Sequence, residues 1–146
     1  MKYSVEVSIS KNREEVWRLF DNVENLYKWQ PTLKEFNLER GEAGKPGAKS
    51  RLKYLEGKRE IEMIETIISR NQPEEFSGTY EMKGAKHWIK NSFEVINENK
   101  TKLVMDSEFQ LSGIYILMTP FIKGMIIKRT NSDMNRFKNF VDGKLD

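Results

Sequence analysis

A chain of 146 residues with 38% hydrophobic residues, 32% charged residues and a formal net charge of +3 has the make-up of one globular domain, able to bury roughly two-thirds of its unfolded surface. The absence of cysteine excludes disulfide and thiolate chemistry, and a single histidine, His87, excludes His-rich metal centres and two-histidine mechanisms. The charge is too small to argue for nucleic acid, and the longest apolar stretch, Ile114 to Ile127 with its breaks at Pro120, Lys123 and Gly124, is well short of the ~20 residues a membrane span needs.

The opening segment MKYSVEVSIS alternates and is charged, so it reads as a strand, Lys2 to Ser10, and not as a signal peptide; the expected location is cytoplasmic. Asn12 with Glu15 forms a capping box ahead of a short helix whose buried side is Val16, Trp17, Leu19 and Phe20. Asp21 or Asn22 caps a second short helix that Pro31 stops, with Trp29 just before the stop.

Six stretches of period two follow. They run from Leu33 to Arg40, through Ala48 to Tyr54, then Arg59–Ser69, Phe76–Met82, Lys86–Ile96 and Lys102–Leu111. The loop Gly41 to Gly47, with three glycines and a proline, and the turns at Gly57, Gly84 and Asn97–Lys100 separate strands. Turns this short imply an antiparallel sheet with one dry face. Apolar residues from Thr119 to Val141 then recur at helical spacing, which predicts one long closing helix. The expected order is β-α-α-β-β-β-β-β-β-α, in a single α+β domain over residues 1–146, with the last helix lying across a curled sheet.

This order, with the segment NREEVWRLFDNVENLYKWQP at residues 12–31, the glycine-rich GEAGKPGAKSRLKY and the final helix, resembles the helix-grip fold of the START/Bet v 1-like (SRPBCC) superfamily over the whole chain. The closest flavour is the bacterial polyketide cyclase/dehydrase-like and lipid-transport-like group. The resemblance implies a seven-stranded curved sheet around the C-terminal helix and a cavity for a small molecule. It carries over no catalytic signature and no cofactor, and fold alone does not settle function.

By alternation the dry face holds Leu52, Tyr54, Phe76, Tyr80, Met82, His87, Ile89, Asn91, Phe93, Met105, Ser107 and Phe109. The strand at Arg59–Ser69 has two registers. One turns Ile61, Met63, Glu65 and Ile67 inward; the other turns Glu60, Glu62, Ile64, Thr66 and Ile68 inward, and the first is more apolar. A one-residue slip at Lys86–Ile96 exchanges His87 for Trp88 inside. Glu65, His87 and Tyr80 are the candidate acid/base residues, Glu65 and His87 as a pair. An outward bulge at Glu65, or an ion pair to it, is the structural alternative.

On the closing helix, Met118, Phe121, Ile122 and Met125 form one apolar stripe, and Thr130, Met134, Phe137 and Val141 a second displaced from it, with Gly124 as the place for a bend. The first stripe is expected to line the cavity and to gate it together with the Gly41–Gly47 loop. Three functions follow: binding or transport of a lipid-like, polyketide-like or quinone-like molecule, a cyclase/dehydrase-like enzyme, or a scaffold with a filled interior. The expected partner is a hydrophobic small molecule, with no nucleic acid, no metal and no cofactor. The basic residues beside Ile114–Ile127 add a transient membrane-surface contact as a further reading.

Overall fold

The computed structural model describes residues 1–144. The elements run β1 (Lys2–Ile9), α1 (Arg13–Phe20), α2 (Val23–Trp29), β2 (Leu33–Arg40), β3 (Lys49–Glu56), β4 (Arg59–Asn71), β5 (Glu75–Met82), β6 (Ala85–Asn97) and β7 (Lys100–Leu111); a 3-10 helix (Gly113–Met118) and α3 (Thr119–Val141) complete the chain. The 3-10 helix is the one element that alternation and helical spacing do not announce.

Local chemistry explains the two short helices. The Asn12 side chain accepts the Glu15 backbone N–H at 2.9 Å, and the Asn22 side chain accepts that of Asn25 at 3.1 Å. Only half of the expected capping box forms, because the Glu15 carboxylate pairs with Arg18 at 2.6 Å, one turn on.

The seven strands form one sheet in the order β1-β7-β6-β5-β4-β3-β2, every neighbouring pair antiparallel. A register shift between Ile67 and Ser69 lets β4 change parity. Odd residues as far as Ile67 face inward; beyond the bulge Arg70 lies opposite the inward Phe76. The bulge therefore turns Arg70 inward and leaves Glu65 inside.

The sheet curves around α3, which at 23 residues and 1.5 Å per residue is about 35 Å long, enough to cross it. The inner stripe of α3 is continuous. Ile122 and Ile126 are half-buried, and Thr130, Met134, Phe137 and Val141 are buried, in steps of three or four. The expectation of two displaced stripes is corrected here: Met118, Phe121 and Met125 lie on the solvent side. The C-terminal half of α3 packs with α1, α2 and the strands β1, β6 and β7 in a core that includes Trp17, Trp29, Phe93 and Leu103. Phe137 sits at its centre, with the Phe20 ring at 5.4 Å and the Trp29 ring at 5.1 Å. A smaller cluster of Leu33, Leu52 and Tyr54 fills the β2–β3 side.

The antiparallel order fixes the two ends of the molecule. The β3–β4 hairpin (Gly57) and the β5–β6 hairpin (Gly84) lie at one end, where α3 begins. Arg129 of α3 pairs with Glu56 at 2.5 Å, and the Tyr115 ring covers Gly84. The Gly41–Gly47 loop lies at the other end, where Gly47 N–H donates to the Ile67 carbonyl at 2.8 Å and Gly44 faces Arg70. The gate expected between that loop and the first turns of α3 is thus not formed, since the strands' length separates the two. Gly124 meets nothing where a side chain would begin, so bulk there would point into solvent.

Gly84 is required twice over. Its φ is +77°, and a Cβ there would lie 2.3 Å from the Tyr115 ring. Gly84→Ala should therefore cost about 1–3 kcal/mol and free the 3-10 helix. Urea unfolding checks the first effect, and faster amide exchange at Tyr115 to Met118 checks the second.

Candidate functional site

The concave face carries a row of side chains at paired positions on five adjacent strands: Phe109 (β7), His87 (β6), Tyr80 (β5), Glu65 (β4) and Ser50 (β3). A second row holds Ser107, Ile89, Gly78 and Ile67, and a third Met105, Asn91 and Phe76. These rows lie between the aromatic core and the Leu33–Leu52–Tyr54 cluster, beneath the middle of α3.

Glu65 is only 8% exposed, and burial raises its carboxyl above the usual range. The Tyr80 hydroxyl donates to Glu65 Oε2 at 2.8 Å and opposes that rise. Among the described residues Glu65 has no cationic partner within salt-bridge distance. Burial also pushes the Tyr80 hydroxyl up, with the carboxylate beside it adding to the effect.

His87 faces inward and Trp88 outward, where the Lys86 ammonium sits 4.9 Å from its ring, so the strand has not slipped. The His87 ring stands edge-on to Phe109 at 5.3 Å. Its Nε2 lies 3.1 Å from the Tyr3 hydroxyl, which is 3.0 Å from Thr130 Oγ1. Thr130 donates its hydroxyl proton to the Ile126 carbonyl at 2.9 Å. It therefore accepts from Tyr3, and Tyr3 accepts from His87 Nε2–H. This direction leaves Nδ1 as the acceptor of the ring. Desolvation lowers the imidazole pKa to about 4, so His87 is neutral at pH 7. The expected Glu65–His87 pair is not in contact: each is bonded to its own tyrosine, and Tyr80 stands between them in the row.

Two polar groups of the neighbouring rows are buried and incompletely satisfied. Asn91 is 3% exposed; its amide reaches the Phe76 carbonyl at 3.4 Å, but Oδ1 has no partner. Ser107 Oγ has none either. They lie on the same face as Glu65 and Tyr80.

The other expected lining residues sort by environment. Leu52, Tyr54 and Phe109 are buried, and Met63, Phe76, Met82, Ile89, Met105 and Ile122 are half-buried on the inner side. Phe93 is withdrawn from the row by its edge contacts with Trp17 and Phe20, both at 5.2 Å, and belongs to the core. Met118, Phe121 and Met125 are respectively 46%, 75% and 64% exposed and line no interior surface. Burial pushes the Tyr54 hydroxyl up; it donates to Gln30 Oε1 at 2.8 Å, and the Arg129 guanidinium lies 5.3 Å from its ring.

Sequence reasoning missed Asp133, which burial pushes up to about 6 against the pull of Arg129 and Arg136. The signal was present: Asp133 stands three residues after Thr130 and four before Phe137, hence on the flank of the buried stripe. Tyr3, on the apolar face of β1, joins the site through its bonds to both His87 and Thr130. Among the described residues no group of three or more His, Cys, Asp and Glu side chains is placed to hold a metal.

No curated protein is similar to this chain in sequence. A family model described as polyketide cyclase / dehydrase and lipid transport matches residues 1–138. Among solved structures, the Zhui aromatase/cyclase from Streptomyces sp. R1128 aligns over 100% of this chain and 96% of its own at 9% identity, with a TM-score of 0.81. Ara h 8.0201 aligns over 98% of each chain at 14% identity, with a TM-score of 0.81. A START superfamily protein from Mycobacterium smegmatis aligns over 97% of each at 14% identity, with a TM-score of 0.80. At such identities the likeness is one of fold.

Proposed function

The chain belongs to the polyketide cyclase / dehydrase and lipid transport family, and from that premise we propose that it holds a hydrophobic or amphipathic small molecule between the concave face and α3. The observation that carries this reading is the set of polar atoms left over on a mostly apolar wall. Glu65 is buried with a tyrosine as its hydrogen-bond partner, and Asn91 Oδ1 and Ser107 Oγ are buried with none. A few convergent polar groups among apolar side chains are the usual make-up of a small-molecule site. The molecule would place a hydroxyl or carbonyl against this group and its apolar body along Met63, Ile67, Ile89 and Met105. Burial raises the carboxyl of Glu65, so the head group that suits it is a neutral hydrogen-bonding one.

The test is recovery of the molecule by solvent extraction of the purified protein, followed by mass analysis and rebinding. Glu65→Leu should weaken rebinding about tenfold, the value of one lost hydrogen bond to a ligand head group. Unchanged affinity in the folded variant would remove Glu65 from the site.

A second reading, an enzyme of the cyclase/dehydrase kind, is favoured by one specific feature. Burial raises the Glu65 carboxyl and lowers the His87 imidazole, so two titratable groups with opposite shifts share one face. Tyr80, beside Glu65 and next to His87 in the row, would orient the substrate. Retained binding of the recovered molecule with lost conversion in His87→Gln would decide for it.

A further inference from the structure

The end of the molecule where α3 begins carries an apolar surface that the rest of the described chain leaves uncovered. Ile114 is 79% exposed, Leu117 80%, Phe121 75% and Met125 64%, with Ile116 and Met118 beside them at 56% and 46%. Phe121 and Met125, four apart on α3, share its solvent side, away from the buried stripe, and Leu117 of the 3-10 helix precedes them, exposed. Six large apolar side chains this exposed within twelve residues form a contiguous patch, and such patches mark a contact surface.

The charge around the patch points to its occupant. No Asp or Glu occurs between Glu108 and Asp133, while Lys123 and Lys128 do. The two hairpins at the same end add Lys58, Arg59 and Lys83. None of these five cations has a carboxylate partner among the described residues. The acidic residues of this end are mostly spent: Glu56 pairs with Arg129, Glu62 with Arg51 and Glu81 with Lys86, leaving Glu60. An apolar ridge ringed by unpaired lysines complements a bilayer whose surface is anionic. A second copy docked on the same face by twofold symmetry would instead bring two such cationic rings together.

We propose that this end of the protein docks on an anionic lipid membrane, with Leu117, Phe121 and Met125 entering the acyl region and Lys83, Lys123 and Lys128 meeting the headgroup phosphates. The proposal is independent of the molecule held inside, because docking needs no cargo.

Co-sedimentation with vesicles tests it, using phosphatidylcholine alone and phosphatidylcholine with a third of phosphatidylglycerol at about 0.1 M salt. The protein should bind the anionic vesicles and bind the neutral ones far less. The double variant Leu117→Ser/Phe121→Ser, and separately Lys123→Glu/Lys128→Glu, should each lower partitioning by about tenfold or more. All four positions are solvent-exposed, so circular dichroism and melting should match the parent protein. Failure of the parent protein to bind anionic vesicles, or unchanged binding in the serine variant, would overturn the proposal. A dimer in sedimentation analysis that the serine variant abolishes, without vesicle binding, would also overturn it and assign the face to a second copy.

Discussion

Phe137→Ala should destabilise the fold by about 3–5 kcal/mol, the cost of emptying an aromatic site that cannot collapse. Phe137 is fully buried, and it joins three elements: the rings of Phe20 (α1) and Trp29 (α2), stacked on each other at 6.0 Å, both lie against it on α3. Truncation removes the shared contact, so α1, α2 and the C-terminal half of α3 should loosen together. The melting temperature should fall by roughly 10 °C in a domain of this size. Met125→Ala, on the same helix but on its solvent side, should change stability by less than about 0.5 kcal/mol. Urea unfolding of the two variants side by side checks whether the buried stripe is the one described; equal costs would mean that it is not.

The second large effect is a set of opposing pH dependences that offset one another in the parent protein. His87 has its folded pKa lowered from 6.5 to about 4, so between those values the unfolded chain binds more protons and stability rises with pH. Asp133 is raised from 3.8 to about 6, so there the folded chain binds more protons and stability falls with rising pH. Glu65, also raised by burial, acts in the same direction as Asp133. The His87 and Asp133 shifts are each worth about 3 kcal/mol at their limits, and their windows overlap from about pH 4 to pH 6. With Glu65 added to Asp133, the parent protein should therefore decline gently in that range. Asp133→Asn should leave stability climbing from pH 4 to pH 6.5. His87→Gln should leave it declining from pH 4 to pH 6. Chemical denaturation at half-unit steps separates them, and parallel profiles for the two variants would contradict the burial assigned to both groups.

The sheet and the closing helix were legible because their periods differ so sharply. Leu33–Arg40 and Thr119–Val141 emerge with the bounds that alternation and helical spacing suggest. The inward set Tyr54, Glu65, Tyr80 and His87 was legible for the same reason, since a half-wetted strand shows its buried face every second residue. The first half of α3 was not. From Ile114 to Ile127 apolar residues occur on every side, so local spacing selects no face. Only the phase of Thr130, Met134, Phe137 and Val141, carried backward, picks out Ile122 and Ile126. The β4 bulge at Ile68, which turns Arg70 inward to pair with Asp21, left no mark in the pattern, because it exchanges one polar residue for another on each face. Asp133 escaped because a carboxylate between two arginines on a helix reads as a solvated charge. Its nearness to Tyr54 and Glu56 is something only the tertiary fold creates.

Methionine methyl NMR tests the central reading most directly, because this chain carries natural reporters on both of its apolar surfaces. Met63 and Met105 lie on the concave face, and Met118 and Met125 on the exposed ridge. Titration with the molecule recovered from the protein, in the absence of lipid, should shift and broaden the methyl signals of Met63 and Met105 and leave those of Met118 and Met125 in place. Shifts confined to Met118 and Met125 would put the binding surface on the outside of the helix and contradict an internal site.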